Sequence, residues 1–175
     1  MIEDLLDLTR ARQAGGIPVV PVDTDVAQLA ARALDEHRAA RASGRLALES
    51  QGDTTGTWDP ERLVQVLSNL LGNALQHGRP EEPVGVRIDG READHVSIVV
   101  ENGGEIPAAL VPSLFDPFRG SRPENGRKAG LGLGLYIVRE IVRAHGGEVT
   151  AASAHGATTF RVTLPRVPKA TPEAG

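Results

Sequence analysis

The chain has 175 residues, of which 40% are hydrophobic and 24% are charged, a composition typical of one soluble globular domain. Its formal net charge of -4 argues against a nucleic-acid-binding surface, and the lack of cysteine excludes disulfides, thiolate catalysis and cysteine-based metal sites. No apolar run is long enough to span a membrane and the N-terminus is acidic, so the sequence predicts a cytoplasmic fragment with no membrane segment and no signal peptide.

The first half of the chain predicts helices and short strands in alternation. A helix over residues 1 to 13 and a break rich in Gly and Pro over 14 to 21 precede an amphipathic helix with Asp23 or Thr24 as its N-cap. A strand over 45 to 50 follows, with a short partner strand at 56 to 58. The strongest prediction is a helix over 59 to 78, with Asp59 as N-cap, Pro60 as the first helical residue and Gly78 after its end.

The second half predicts four strands, at 84–89, 95–101, 147–152 and 158–165, with an irregular segment over 103–129 and a last helix before the final two strands. Strands that follow each other without an intervening helix tend to pair antiparallel. The sequence therefore predicts an α+β fold, a two-layer sandwich of a mixed, mainly antiparallel sheet with helices on one face. A doubly wound α/β sheet is the alternative, but it needs a helix between most strand pairs.

Three glycines alternate with leucines where the last helix begins. Gly130, Gly132 and Gly134 stand among Leu131, Leu133 and Leu135, although each glycine costs about 1 kcal/mol relative to alanine inside a helix. Closely spaced glycines let backbone N–H groups approach an anion at the positive end of a helix, which indicates a phosphate site. A plain tight turn is an equal alternative. The pattern is neither a P-loop nor a dinucleotide fingerprint.

Two further stretches carry neutral amides. Asn69 and Asn73 lie on one face of the 59 to 78 helix, in a polar stripe that Arg62, Gln65 and Gln76 extend. The stripe is either a solvated face or, because an amide oxygen suits Mg²⁺ when phosphates supply the charge, a metal ligand. Asn102 continues the inward alternation of its strand and serves either turn chemistry or the floor of a pocket.

Four stretches in this order resemble the N, G1, F and G2 boxes of the catalytic ATP-binding domain of sensor histidine kinases. They are "NLLGNALQH", "ENGGEIP", "LFDPFRG" and "GLGLGLYIVREIVRAHGGEV", and "GATTFRVTLP" is similar to the closing motif. The resemblance covers roughly residues 20 to 165. It implies a Bergerat-type fold with a mobile ATP lid, ATP and Mg²⁺ as cofactors, and donation of the γ-phosphoryl group to a histidine on a dimerisation domain.

The resemblance also implies roles for single residues. Asn73 matches the Mg²⁺ ligand, Arg119 a residue that reaches the γ-phosphate, and Thr158 a residue that supports adenine recognition. Asn69 stands where hydrolytic relatives carry a glutamate base, which favours transfer to a protein over hydrolysis. The implied nucleotide-binding set is Asn73, His77, Asn102, Gly104, Ile106, Lys128, Gly130, Leu131, Gly132, Leu133, Gly134, Leu135 and Thr158.

The implied lid, residues 119 to 134, is basic and should fold over the triphosphate when nucleotide binds. On this interpretation Gly132→Ala lowers nucleotide affinity at no cost to the helix. The G1 box departs from the family, since Glu101 or Asn102 stands in place of the aspartate that accepts the adenine amino group. Strand parity favours Asn102, whose neutral amide predicts weaker ATP binding. A degenerate regulatory module without transfer activity is the alternative function.

The resemblance divides the chain into a remnant of the second dimerisation helix (1–13), a linker (14–22), the ATP-binding domain (23–165) and a disordered tail (166–175). None of the five histidines has the setting of a phosphoacceptor. The expectation is therefore a truncated kinase, monomeric as isolated, which needs a dimerisation domain bearing the acceptor histidine and a response regulator as partners.

Overall fold

A computed structural model describes residues 2–13, 15–41, 45–118 and 132–167. The helices are α1 (Ile2–Arg12), α2 (Val26–Arg41), α3 (Pro60–His77) and α4 (Gly134–Ala144), with a 3₁₀ turn over Val111–Ser113. The strands are β1 (Val22–Asp25), β2 (Leu46–Gly52), β3 (Thr55–Trp58), β4 (Val84–Gly90), β5 (His95–Gly103), β6 (Glu148–Ala154) and β7 (Ala157–Pro165). Within these ranges no helix is long and apolar enough to cross a membrane.

A five-stranded sheet forms one layer, in the order β2-β4-β5-β7-β6. Only the β2–β4 pair is parallel among the described strands of this sheet, and the other pairs are antiparallel. The helices α2, α3 and α4 pack against the sheet, and Val100, Phe160 and Val162 are among its side chains that are fully buried in the shared core. The predicted α+β fold with a mixed, mainly antiparallel sheet is thus confirmed.

Local sequence signals determine α3. The Asp59 carboxylate accepts a hydrogen bond from the backbone N–H of Arg62, Pro60 is the first helical residue, and the N–H of Gly78 closes the last turn on the Ala74 carbonyl. The first four N–H groups and the last four carbonyls of a helix lack partners within the helix. Asp59 and Gly78 each provide one such hydrogen bond, and Pro60 has no N–H that needs one. The predicted boundaries and caps of this helix are confirmed.

Two predictions about the first half were wrong. The N-cap of α2 is Asp25, whose carboxylate accepts from the N–H of Ala27, because β1 runs through Asp23 and Thr24 and α2 begins directly after Asp25. The strand at 55–58 does not pair with β2; it pairs antiparallel with β1 in a separate two-stranded ribbon, while β2 pairs with β4.

Candidate functional site

The helices α3 and α4 approach each other at Asn69. Its side chain is half-buried, and its Nδ2 donates to the carbonyl of Gly134, the first residue of α4, at 3.3 Å. A Cβ added to Gly134 would lie 3.8 Å from the Asn69 side chain, which is ordinary contact. The structure therefore brings together two residues that the sequence singled out in separate motifs.

Asn73 follows one turn later on the same face of α3. It is half-buried, and its side chain makes no hydrogen bond within the part of the chain that the structure describes. Amide groups in such positions normally find a partner. The Asn73 amide oxygen is therefore available to a ligand or a hard cation.

At the end of β5, the side chains of Asn102 and Glu101 lie on opposite faces of the sheet. Asn102 is 4% exposed, and its Nδ2 donates to the Gly103 carbonyl at 2.9 Å, while its Oδ1 accepts no hydrogen bond from the described residues. The Glu101 side chain is half-exposed on the opposite face, 3.8 Å from Arg87. The prediction that strand parity turns residue 102 inward is confirmed.

The loop after β5 is held against the β6–β7 hairpin. Gly104 has a φ of +106°, which favours glycine, and its N–H donates to the Gly156 carbonyl at 2.7 Å. The Thr158 hydroxyl, 2% exposed as a residue, donates to the Gly104 carbonyl at 2.9 Å. The carboxylate of Glu105 accepts from the Gly156 N–H.

Ser153 completes this arrangement and was missed by the sequence analysis. Its hydroxyl accepts from the N–H of Ile106 at 2.8 Å and lies 3.0 Å from the Thr158 hydroxyl. The sequence feature that could have identified Ser153 is the His155-Gly156 pair, which forms a two-residue turn with positive φ at both residues. Such a turn places Ser153 opposite Thr158 on the neighbouring strand.

The last turn of α3 joins the two groups of residues. A Cβ on Gly104 would lie 3.4 Å from the His77 carbonyl, and a Cβ on Gly78 would lie 3.2 Å from the Asn102 Cβ. The side chain of His77 is exposed. The described site thus runs from Asn69 along α3 to Asn102 at the end of β5.

The glycine-rich stretch enters α4 through Gly132. This residue has a φ of +68° and its carbonyl accepts from the Phe118 N–H at 3.0 Å. Leu133 is buried in the core and Leu135 packs partly against it. The expectation that an alanine at Gly132 costs nothing at the start of the helix was wrong, because an alanine at this φ is strained by roughly 1 kcal/mol or more.

Several predicted residues lie outside the described part of the chain. They are Arg119, Lys128, Gly130 and Leu131, together with most of the lid.

The two halves of the polar stripe on α3 face different parts of the molecule. Arg62 and Gln65, expected to continue the stripe of Asn69 and Asn73, both bind Asp7 of α1. Gln76 is exposed. Only the second half of the stripe remains open toward the candidate site.

Residues 58–168 match the family model described as "Histidine kinase-, DNA gyrase B-, and HSP90-like ATPase". The chain belongs to this family. It is 35% identical over 168 residues to the bacteriophytochrome of Pseudomonas aeruginosa, covering 94% of this chain and 23% of that protein. It is 37% identical over 172 residues to the signal transduction histidine-protein kinase AfsQ2 of Streptomyces coelicolor, covering 96% and 30%.

Solved structures agree with the family assignment. The mycobacterial sensor histidine kinase MprB shares 27% identity at a TM-score of 0.72, over 86% of this chain and 100% of that one. The catalytic domain of histidine kinase ThkA has the same fold at a TM-score of 0.72 and 24% identity, over 85% and 97%. The resemblance to the catalytic domains of sensor histidine kinases is thus confirmed. The chain spans about a quarter to a third of the length of the two relatives named above.

Proposed function

We propose that this chain binds ATP together with Mg²⁺ and donates the γ-phosphoryl group to a histidine on a dimerisation domain. The observation that carries the proposal is the half-buried amide of Asn73, without a partner among the described residues, one turn from Asn69 and the start of α4. Family membership supplies the ligand class, since the matching model describes ATPases.

The described residues fit the two ends of the nucleotide. Asn73 Oδ1 would hold Mg²⁺, which neutralises phosphate charge when bound, with the phosphates as the other ligands. At the other end Asn102 Oδ1 would accept from the adenine amino group, and Thr158 would hold Gly104 in place through its hydroxyl. The last turn of α3 spans the distance between these two groups.

Asn69 favours transfer to a protein acceptor over hydrolysis. A neutral amide cannot take a proton from water, so it does not provide a general base. Its Nδ2 is already bound to the Gly134 carbonyl, and it would act by holding α4 against α3. The names of two relatives, a signal transduction histidine-protein kinase and a probable sensor histidine kinase, support histidine as the acceptor. A response regulator as a further partner and a cytoplasmic setting belong to the same proposal.

Calorimetry with ATP, with and without Mg²⁺, tests the proposal. In Asn73→Ala we expect the gain in affinity from Mg²⁺ to disappear, while the melting temperature stays unchanged or rises slightly, because alanine is a better helix former. Gln28→Ala, which removes an exposed amide from α2, should leave both values unchanged. Equal Mg²⁺-dependent affinity in Asn73→Ala and the parent would refute the metal assignment.

A regulatory module that binds nucleotide without transfer is the second candidate. It is favoured by the neutral Asn102 at the adenine end, because a neutral hydrogen bond is roughly half as strong as a charge-assisted one. Adding a separate dimerisation domain and labelled ATP distinguishes the two: label on the acceptor histidine supports transfer, and ATP binding without label supports the regulatory module.

A further inference from the structure

Asp7 is buried in a helix that is otherwise largely exposed. In α1 only Asp7 and Leu8 are buried, at 1% and 8% exposure, while Ile2, Leu5 and Leu6 are 79%, 46% and 51% exposed. The burial of apolar side chains therefore contributes little to holding α1 against the rest of the domain. A buried carboxylate needs compensating partners, so the contacts of Asp7 determine how α1 is held.

The residues that donate hydrogen bonds to Asp7 come from α3, while the half-exposed Arg10 of α1 itself lies 3.7 Å from Asp7 Oδ1 as a longer ion pair. Arg62 Nη1 donates to both carboxylate oxygens at 3.1 and 3.0 Å, and Gln65 Nε2 donates to Oδ2 at 2.8 Å. Arg62 also donates to Gln65 Oε1 at 2.9 Å, so the two donors are fixed relative to each other. We call Arg62 and Gln65 the α3 socket. The Nη1 and Nε2 groups that reach Asp7 are all donors, so the socket selects a carboxylate.

The socket lies on the same helical face as the proposed metal ligand. Residues 62, 65, 69 and 73 follow one another at helical spacing, so α1 occupies the first half of a stripe whose second half faces the candidate site. α1 also packs against α4, the helix that Asn69 joins to α3. A change in the position of α1 therefore acts on both helices that form the phosphate end of the site.

We propose that Asp7 is a positioning residue that anchors α1 in the α3 socket and so couples the placement of α1 to nucleotide affinity. Removing the carboxylate leaves the partly buried Arg62 without its counterion while α1 is docked, which makes the docked state of α1 less favourable. The coupling rests on the proposed function, whereas the anchoring does not.

Hydrogen exchange tests the anchoring in the full chain. Asp7→Asn keeps the size of the side chain but places a donor against the donors of the socket. We expect the amides of α1 to exchange at least about tenfold faster in this variant. Asp35→Asn is the matched control, because it removes a carboxylate from an exposed pair with Arg38 on α2, and it should leave α1 unchanged. Unchanged exchange of α1 in Asp7→Asn would overturn the anchoring.

A double-variant cycle separates a specific pair from general loosening. Arg62→Met should release α1 as Asp7→Asn does, and the two changes together should release it no further. Additive effects would show that the two residues act independently and would overturn the pair.

Calorimetry with ATP–Mg²⁺ tests the coupling. We expect Asp7→Asn to weaken affinity by about threefold or more, with no change in Asp35→Asn. Faster exchange of α1 with unchanged ATP–Mg²⁺ affinity would overturn the coupling but would still support the anchoring of α1 by Asp7. If the parent chain binds no ATP–Mg²⁺, both the proposed function and the coupling are refuted. The hydrogen exchange of α1 still tests whether Asp7 anchors α1.

Discussion

Two neighbouring side chains at the end of β5 face opposite sides of the sheet. Asn102 lies inside, with an Oδ1 that accepts nothing from the described residues, and Glu101 lies outside near Arg87 and Thr159. A strand alternates its faces at every residue, so only one of the two can reach the candidate pocket. The inward position carries a neutral amide, which sets an upper limit on how strongly this residue can hold an adenine amino group.

We expect Asn102→Ala to weaken ATP binding by about tenfold, the loss of one neutral hydrogen bond. Glu101→Ala should change affinity by less than about twofold, because its partners are exposed. Calorimetry on both variants, with melting temperatures as a check on folding, makes the comparison. A larger loss of affinity in Glu101→Ala would show that the carboxylate, despite its outward position in the structure, contacts the nucleotide.

His145 joins the end of α4 to the start of α3. It is fully buried, its Nε2 accepts from the Asp59 N–H at 3.0 Å, and its Nδ1 lies 2.8 Å from the Ile141 carbonyl. The neutral ring with its proton on Nδ1 satisfies both contacts. Burial lowers the pKa of His145, against the smaller opposing effects of the Ile141 carbonyl and the Asp59 carboxylate.

This shift predicts a pH-dependent stability. The pKa of His145 is lower in the folded state than its unfolded value of about 6.5, so the unfolded chain binds more protons below that pH. The stabilisation is complete above about pH 6.5 and is lost as the pH falls through the folded-state pKa. Between about pH 7.5 and pH 5 the parent should therefore lose more unfolding free energy than His145→Gln. Urea titrations at both pH values measure this, and equal losses would contradict it.

Among the elements, α3 could be predicted from the sequence and β1 could not. The cap, the first proline and the final glycine of α3 act within its own few residues, so the sequence contains all that determines it. The strand β1 has no alternation, and it exists because β3 pairs with it from about thirty residues or more along the chain. Asp25 became the N-cap of α2 for the same reason, since the ribbon ends there.

The candidate site divides in the same way. The inward position of Asn102 followed from strand period alone, and the shared face of Asn69 and Asn73 from helix period. The contact between Asp7 and Arg62 joins two helices far apart in the chain, and no periodicity within either helix specifies which side chains meet. The burial of Asp7 is visible only in the structure.

At the scale of the whole molecule, the end of β7 connects the two sheets. The guanidinium of Arg166 donates to the carbonyls of Asp53 and Thr55 where β2 turns into β3, and to those of Gly90 and Glu92 at and beyond the end of β4. The adjacent Pro165 carbonyl accepts from Trp58 Nε1 at 2.7 Å. Arg166 was assigned to the tail, yet its side chain is 16% exposed and bound to the turns of the sheet.

Arg166→Met should therefore lower the free energy of unfolding by about 2–3 kcal/mol, since hydrogen bonds from a charged donor are worth more than neutral ones and four carbonyls lose theirs together. Arg91→Met is the matched control: its side chain is 65% exposed and pairs with Asp89, so its loss should cost less than about 1 kcal/mol.

Trp58, the single tryptophan, is fully buried beside this junction, and its fluorescence in urea can be compared with far-ultraviolet circular dichroism. Because Arg166 and Trp58 attach the ribbon to the main sheet, the two transitions should coincide in the parent chain. An Arg166→Met variant as stable as Arg91→Met would contradict the connection, and a separate earlier fluorescence transition in the parent would show that the ribbon unfolds on its own.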